Sequence, residues 1–449
     1  MDNTRNEKVP RRILSSLINS LVAGVVPRTG APYIAIGRDD EIAALLSDLE
    51  NISEGGCSMR FIIGKYGSGK SFLMQLIRGY SLERGFLTAD CDLSPERRIC
   101  GSKGTGIATY RELMKNLSSK SSPDGSALQS VIAKWLSNLQ LELASEGFDP
   151  ESNEFSVRLS AKIFDVSRSL KSQIGGFDFA HVISCYYKGY VSGDDAKMDS
   201  CLRWIRGEYS TKTEAKSALG VSSIIDDDNW FDYLKLMAVF VQKIGYRGLV
   251  VYIDECVNLY KIPNRISREN NYEKLLSMFN DALGGRSPGL GLVLGGTPQF
   301  LEDTRRGLFS YEALKSRLSD GRFANSSFKN LSGPVIKLRR LSDDELYALI
   351  TRATKLHSQY YDWDVRITEE EMHAFFNTCI SRIGADSMIT PREVLRDYLS
   401  LLDILRQNND ATFEKVMQGH VLTAASVSAE LSAYDEKQYQ SYSAEDIEI

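Results

Sequence analysis

Residues Gly64-Lys65-Tyr66-Gly67-Ser68-Gly69-Lys70-Ser71 fit the pattern G-x-x-x-x-G-K-[ST] at every position. Phosphate binding needs these types at this spacing. Glycines let successive backbone N–H groups turn inward around phosphate oxygens, and a helix beginning at the end of the loop adds its positive pole. Lys70 is then placed to reach the β- and γ-phosphates, and the Ser71 hydroxyl to ligate Mg2+. Phe72 closes the candidate nucleotide-binding stretch. The complementary element is Val250-Val251-Tyr252-Ile253-Asp254-Glu255, an apolar run ending in two carboxylates. Asp254 is the expected second Mg2+ contact, and Glu255 is placed to polarise an attacking water. An apolar run ending in Asp-Glu is common by itself; paired with the loop, it predicts ATP and Mg2+ as ligands.

Further side chains would complete phosphoryl transfer. LVLGGTPQF ends an expected strand at Thr297, the slot that in ring-forming AAA+ ATPases holds a polar residue facing the water or the γ-phosphate; a Gly-Gly-Thr strand end is also a routine turn. An arginine near the γ-phosphate, in cis or from a neighbouring subunit, is also expected. Arg317 and Arg322 are candidates, then Arg305 and Arg306, with Arg392 at a helix start suited to a sensor on a lid. Most arginines are solvated surface residues, so each also has that reading. Gly37-Arg38-Asp39 reads as a helix entry, but resembles the G-R-[DE] element near the adenine pocket of initiator-like AAA+ and STAND ATPases. That resemblance makes Arg38 a nucleotide contact.

The elements that must position these groups are legible in the periodicity. Short apolar strands are expected at 59–64, 86–93, 248–255, 290–297 and 334–338, alternating with helices, which indicates a three-layer α/β domain with a parallel sheet. About 150 residues separate the second and third strands, far more than one crossover helix needs. Residues 105–235 therefore read as a helical insertion. Residues 1–48 read as a helical entry carrying the GRDDEI element, 49–340 as the ATPase core, 341–429 as a helical lid and 430–449 as an acidic flexible tail.

The chain has 449 residues, 54 Lys+Arg against 59 Asp+Glu, and a net charge of −5. Its 43% hydrophobic and 25% charged fractions exclude a disordered or fibrous chain. The charge is local: in 430–449, six carboxylates against Lys437 account for all of it. A uniformly basic nucleic-acid binder is excluded, although a local basic groove is not. Arg203, Trp204, Arg206, Tyr209, Lys212 and Lys216 offer the basic and aromatic mixture of a DNA-binding surface; the alternative is an amphipathic helix with Trp204 in the core. Seven cysteines without a C-x-x-C pair and four scattered histidines give no zinc or disulfide signature, and no run is long enough to span a bilayer. A cytoplasmic location without membrane contact is the expectation.

Beyond the shared ATPase motifs, INSLVAGVVPRTG, DLSPERRI, RWIRGEYSTKTEAKSALGV, YEALKSRL and TPREVLRDYLSLLDIL resemble the ATP-binding proteins of BREX (bacteriophage exclusion) phage-defence systems, the BrxD-like group in particular. The resemblance covers about 18–405 and implies an AAA+-type P-loop ATPase core with a helical lid, acting with other phage-defence proteins such as a helicase. Relatedness to origin-recognition ATPases further implies DNA as a partner, and the complete loop and Asp-Glu pair with candidate trans arginines lead to the expectation of an ATP-dependent homo-oligomer. One departure matters: only about fifty residues follow position 400, too few for a lid end plus a winged helix. The expected function is ATP hydrolysis coupled to DNA or a partner. The alternative is a low-turnover, ATP-dependent switch or scaffold that assembles defence complexes; a small-molecule kinase fits less well, because the insertion and lid look like conformational coupling.

Overall fold

The computed structural model describes residues 8–101, 104–171, 173–320, 330–380 and 390–418. In chain order the elements are α1 (Arg11–Val22), α2 (Asp39–Ser53), β1 (Ser58–Gly64), α3 (Lys70–Glu83), β2 (Leu87–Asp92), α4 (Thr105–Lys115), α5 (Leu128–Ser145), α6 (Asn153–Leu170), α7 (Gly176–Ser192), α8 (Asp195–Ile205), α9 (Lys212–Leu219) and α10 (Trp230–Lys243). They continue as β3 (Leu249–Asp254), α11 (Val257–Tyr260), α12 (Arg265–Leu283), β4 (Leu290–Gly296), α13 (Pro298–Glu302), α14 (Glu312–Leu318), β5 (Val335–Leu338), α15 (Asp343–Tyr361), α16 (Glu369–Ile380) and α17 (Pro391–Gln407).

The five strands form one sheet in the order β2-β3-β4-β1-β5, and every pair is parallel. Strands β1 and β4 are buried along their whole length, as near-continuous apolar runs covered on both faces must be. One face packs on α2 and α3: a Cβ on Gly291 would meet Ile52 of α2, and one on Gly295 would meet Met74 of α3. The other face, with Phe61, Val251 and Leu292, joins a large core that includes α10, α12 and the helices between β2 and β3. This is an α/β fold with the layering of a P-loop NTPase core.

Helix α4 packs against β2 and α10 against β3, so both serve as crossover helices, while α5 to α9 form the added layer. That layer shares the sheet's core. Trp204 stacks edge-to-face on Tyr233 at 5.4 Å, and Trp135 and Phe179 pack on Phe240 of α10 at 5.6 and 5.5 Å. Such pairs add about 0.5–1.5 kcal/mol beyond their burial.

The chain divides into two compact units, residues 38–340 and residues 1–37 with 341 onward. Helix α2 therefore folds with the sheet, whereas α1 folds with α15 and α17. In the helical unit, α15 and α17 both open with a capping box, Ser342 with Glu345 and Thr390 with Glu393, which satisfies backbone N–H groups that the first helical turn leaves unpaired. Arg322 and the acidic stretch 430–449 lie outside the described residues.

Candidate nucleotide site

Strands β1, β2, β3 and β4 all end at the same edge of the sheet, the carboxyl edge where open parallel sheets bind ligands. The loop 64–69 leaves β1 there and turns into α3. Gly69, the residue before the helix, has φ +85°, a left-handed conformation natural to glycine. The first N–H groups of α3 have no partner within the helix and lie open to an anion. Ser68 is buried under the loop, whereas Tyr66 is 76% exposed, its ring outside the core.

The candidate side chains Lys70, Ser71, Asp254 and Glu255 converge on this edge. Lys70 Nζ donates to the carbonyls of Gly64 at 3.0 Å and Lys65 at 3.2 Å, so the ammonium lies along the phosphate loop. Partial burial lowers its pKa below the ordinary lysine value, while Asp254 and Glu255 oppose the shift. The Ser71 hydroxyl donates to Asp254 Oδ2 at 2.6 Å. Asp254 Oδ1 accepts the Glu255 N–H at 2.8 Å, so both carboxylate oxygens are held. Glu255 has φ +55°, uncommon for a residue with a Cβ, and its side chain is exposed just beyond the strand. Backbone strain of this kind gathers at functional sites.

Sequence reasoning missed Asp92. It ends β2 directly opposite Asp254 in the parallel register. Desolvation and the neighbouring Asp254 and Glu255 carboxylates raise its pKa. Its sequence context, Thr-Ala-Asp-Cys-Asp, carries no motif; only the strand pairing brings it to the site.

The donor set suits Mg2+. Ser71 and Asp254 present two hard oxygens at hydrogen-bonding distance beside the loop. Among the described residues no group of three or more His, Cys, Asp or Glu could hold a metal ion.

The family of BREX system ATP-binding proteins, BrxC/D, matches residues 9–421 of this sequence. The chain belongs to this family. No curated protein sequence matches it. Membership brings ATP binding and a place in a phage-defence system, which agrees with a complete G-x-x-x-x-G-K-[ST] pattern in a loop at the carboxyl edge of the sheet.

In this BREX ATP-binding protein the other expected site residues fall in different settings. Thr297 follows β4, the strand lying between β1 and β3, and caps α13 by accepting the Phe300 N–H at 3.3 Å. Arg317 is exposed on α14 and donates to Asn280 Oδ1 at 3.1 Å and the Ala313 carbonyl at 2.8 Å. Arg305 is exposed, whereas Arg306 lies over the Tyr260 ring and donates to the carbonyls of Tyr260 and Ile262. Arg392 is an exposed residue in the first turn of α17 in the helical unit. Arg38 is 4% exposed, and its guanidinium donates to the Ser68 carbonyl in the phosphate loop.

The basic and aromatic stretch 203–216 does not form a stacking surface. Trp204 and Tyr209 are 1% and 2% exposed, and the Trp204 indole donates to the Ser223 carbonyl. Arg203 pairs with Glu214, and Arg206 with Asp199 and Glu208. Helical spacing puts Trp204 on the same inward side as Cys201 and Ile205, and the charges face solvent. No helix among the described residues is long and apolar enough to cross a membrane.

Proposed function

We propose that this protein hydrolyses Mg2+-ATP as an AAA+-type ATPase of a BREX phage-defence system, coupling turnover to assembly with copies of itself and with partner proteins or DNA. The supporting observation is the 2.6 Å contact between Ser71 of the phosphate loop and Asp254 of β3, with Glu255 immediately after it. Mg2+ held by Ser71 and Asp254 would neutralise charge on the β- and γ-phosphate oxygens. Lys70 leaves the loop carbonyls for those phosphates, and the amides of residues 67–71 line the triphosphate. Glu255 orients the attacking water and accepts its proton. Placing β4 between β1 and β3 puts the residue after it, Thr297, between the loop and Asp254, and this supports an AAA+-type role for its hydroxyl facing the γ-phosphate. Arg317 and Arg392 are exposed, as a charge offered to a neighbouring nucleotide or sensing its own must be.

Steady-state phosphate release tests the reading. Wild-type protein is expected to turn over ATP only with Mg2+, and Glu255→Gln to lose about 100-fold or more while still binding ATP. Tight ATP binding without measurable turnover in wild type, with and without DNA, replaces hydrolysis by the low-turnover switch. Mass measurement with and without ATP tests assembly; a monomer indifferent to ATP and DNA removes the coupling.

A further inference from the structure

Arg38 is buried against the loop 64–71. Its Nη2 donates to the Ser68 carbonyl at 2.8 Å and to the Arg339 carbonyl at 2.6 Å, and Nη1 stands 4.0 Å from Glu41 Oε1. A guanidinium that is 4% exposed and bonded to backbone carbonyls is committed to holding main chain in place. The peptide it holds matters. Ser68 O and Gly69 N–H belong to one planar trans unit, in which C=O and N–H point in opposite directions. A cation behind the Ser68 oxygen therefore turns the Gly69 N–H away from itself. Polarising the carbonyl also strengthens that N–H as a donor, because linked hydrogen bonds reinforce one another.

We infer that Arg38 is a positioning residue of the phosphate loop, fixing the Ser68–Gly69 peptide so that the Gly69 N–H meets an incoming phosphate. The inference rests on the reading of loop 64–71 as a triphosphate site. It gives Arg38 a role different from the adenine contact that Gly37-Arg38-Asp39 implied. Both carbonyls accept from the one nitrogen Nη2, whose two N–H bonds diverge in the guanidinium plane, while Nη1 faces Glu41. The second carbonyl adds a consequence. Arg38 is the first residue of the sheet-bearing unit, and Arg339 precedes its last residue, Arg340. One guanidinium thus joins the phosphate loop to both points where the chain enters and leaves that unit.

The test is binding by the full-length protein, for wild type, Arg38→Met and Arg38→Lys, with ATP, GTP, inorganic tripolyphosphate and adenosine as probes. Arg38→Met is expected to weaken ATP and tripolyphosphate by the same factor, about tenfold for a charged hydrogen bond to the loop. Adenosine affinity and the preference for ATP over GTP stay unchanged, which general damage to the fold would not produce. Arg38→Lys falls between, since it keeps the charge but carries it on a shorter side chain than the one that reaches both carbonyls. Unchanged tripolyphosphate binding with a reduced preference for ATP over GTP overturns the inference in favour of a base contact. Unchanged affinity for every probe also overturns it. If Arg38→Met does not fold, Arg38→Lys decides by the same criteria. The readout is binding, so absence of ATP turnover would remove the hydrolysis reading and leave this inference standing.

Discussion

Replacing Gly295 by alanine is expected to disable the candidate Mg2+ site while leaving the nucleotide loop intact. Gly295 lies in β4 under the Asp254 carboxylate. A Cβ there would collide with Asp254 Oδ1 and come within 2.9 Å of Met74 Sδ. The carboxylate has little freedom to yield, because Ser71 holds Oδ2 at 2.6 Å and the Glu255 N–H holds Oδ1 at 2.8 Å. Moving it removes a hydrogen bond to a charged group, worth about 1.5–3 kcal/mol. At 1.36 kcal/mol per factor of ten, Mg2+-dependent turnover should fall by about 10–150-fold. Overpacking adds about 1–3 kcal/mol of lost stability. Gly291→Ala is the control: its Cβ would meet Ile52 Cδ1 at 2.6 Å, on the same face but away from Asp254. The assay is ATP hydrolysis titrated with Mg2+, alongside thermal melting. Gly295→Ala should need more Mg2+ and turn over slowly, while Gly291→Ala melts earlier with normal Mg2+ dependence. Equal turnover losses in the two variants, or an unchanged Mg2+ titration in Gly295→Ala, would refute the reasoning.

Lys70 loses its proton at lower pH than an ordinary lysine, because burial disfavours the ammonium. ATP affinity should therefore begin to fall on the alkaline side below pH 10.5, and stability of the nucleotide-free protein should gain from relief of the buried charge over the same range; calorimetry at a series of pH values measures both. Trp204→Ala should destabilise the protein by about 3–5 kcal/mol, seen in denaturant melts, because it empties a site that is 1% exposed. Its DNA affinity per folded molecule should not change. Burial holds His357 neutral, its pKa below 6.5, and Nδ1 accepts the Trp363 indole N–H at 3.0 Å. Protonation destroys that acceptor. Stability contributed by His357 is present above pH 6.5 and lost as pH falls toward its depressed value, and His357→Gln should flatten that slope in pH-dependent melts.

The placement of loop 64–71 and of the Asp254-Glu255 pair at one sheet edge was legible because each segment is contiguous, and the strand that carries it is a plain apolar run. The strand order and Asp92 were not. Asp92 meets Asp254 only through the β2–β3 register, across the helices between those strands. The role of Arg38 was hidden for a different reason, since its acceptors are main-chain carbonyls of residues 68 and 339, which leave no signature in side-chain types. The stretch at 203–216 misled because composition cannot tell an aromatic ring stacked in a core from one offered to a base. Trp204 is resolved only by its packing on Tyr233 of α10.

The account stands most directly on single turnover of γ-labelled ATP bound to wild-type and Glu255→Gln protein, with Mg2+ added to start the reaction. The prediction is equal binding by both, rapid release of labelled phosphate from wild type, and release from Glu255→Gln slower by about two orders of magnitude. Release at the same rate from both proteins would contradict the assignment of Glu255 and, with it, the hydrolytic site built from Lys70, Ser71 and Asp254.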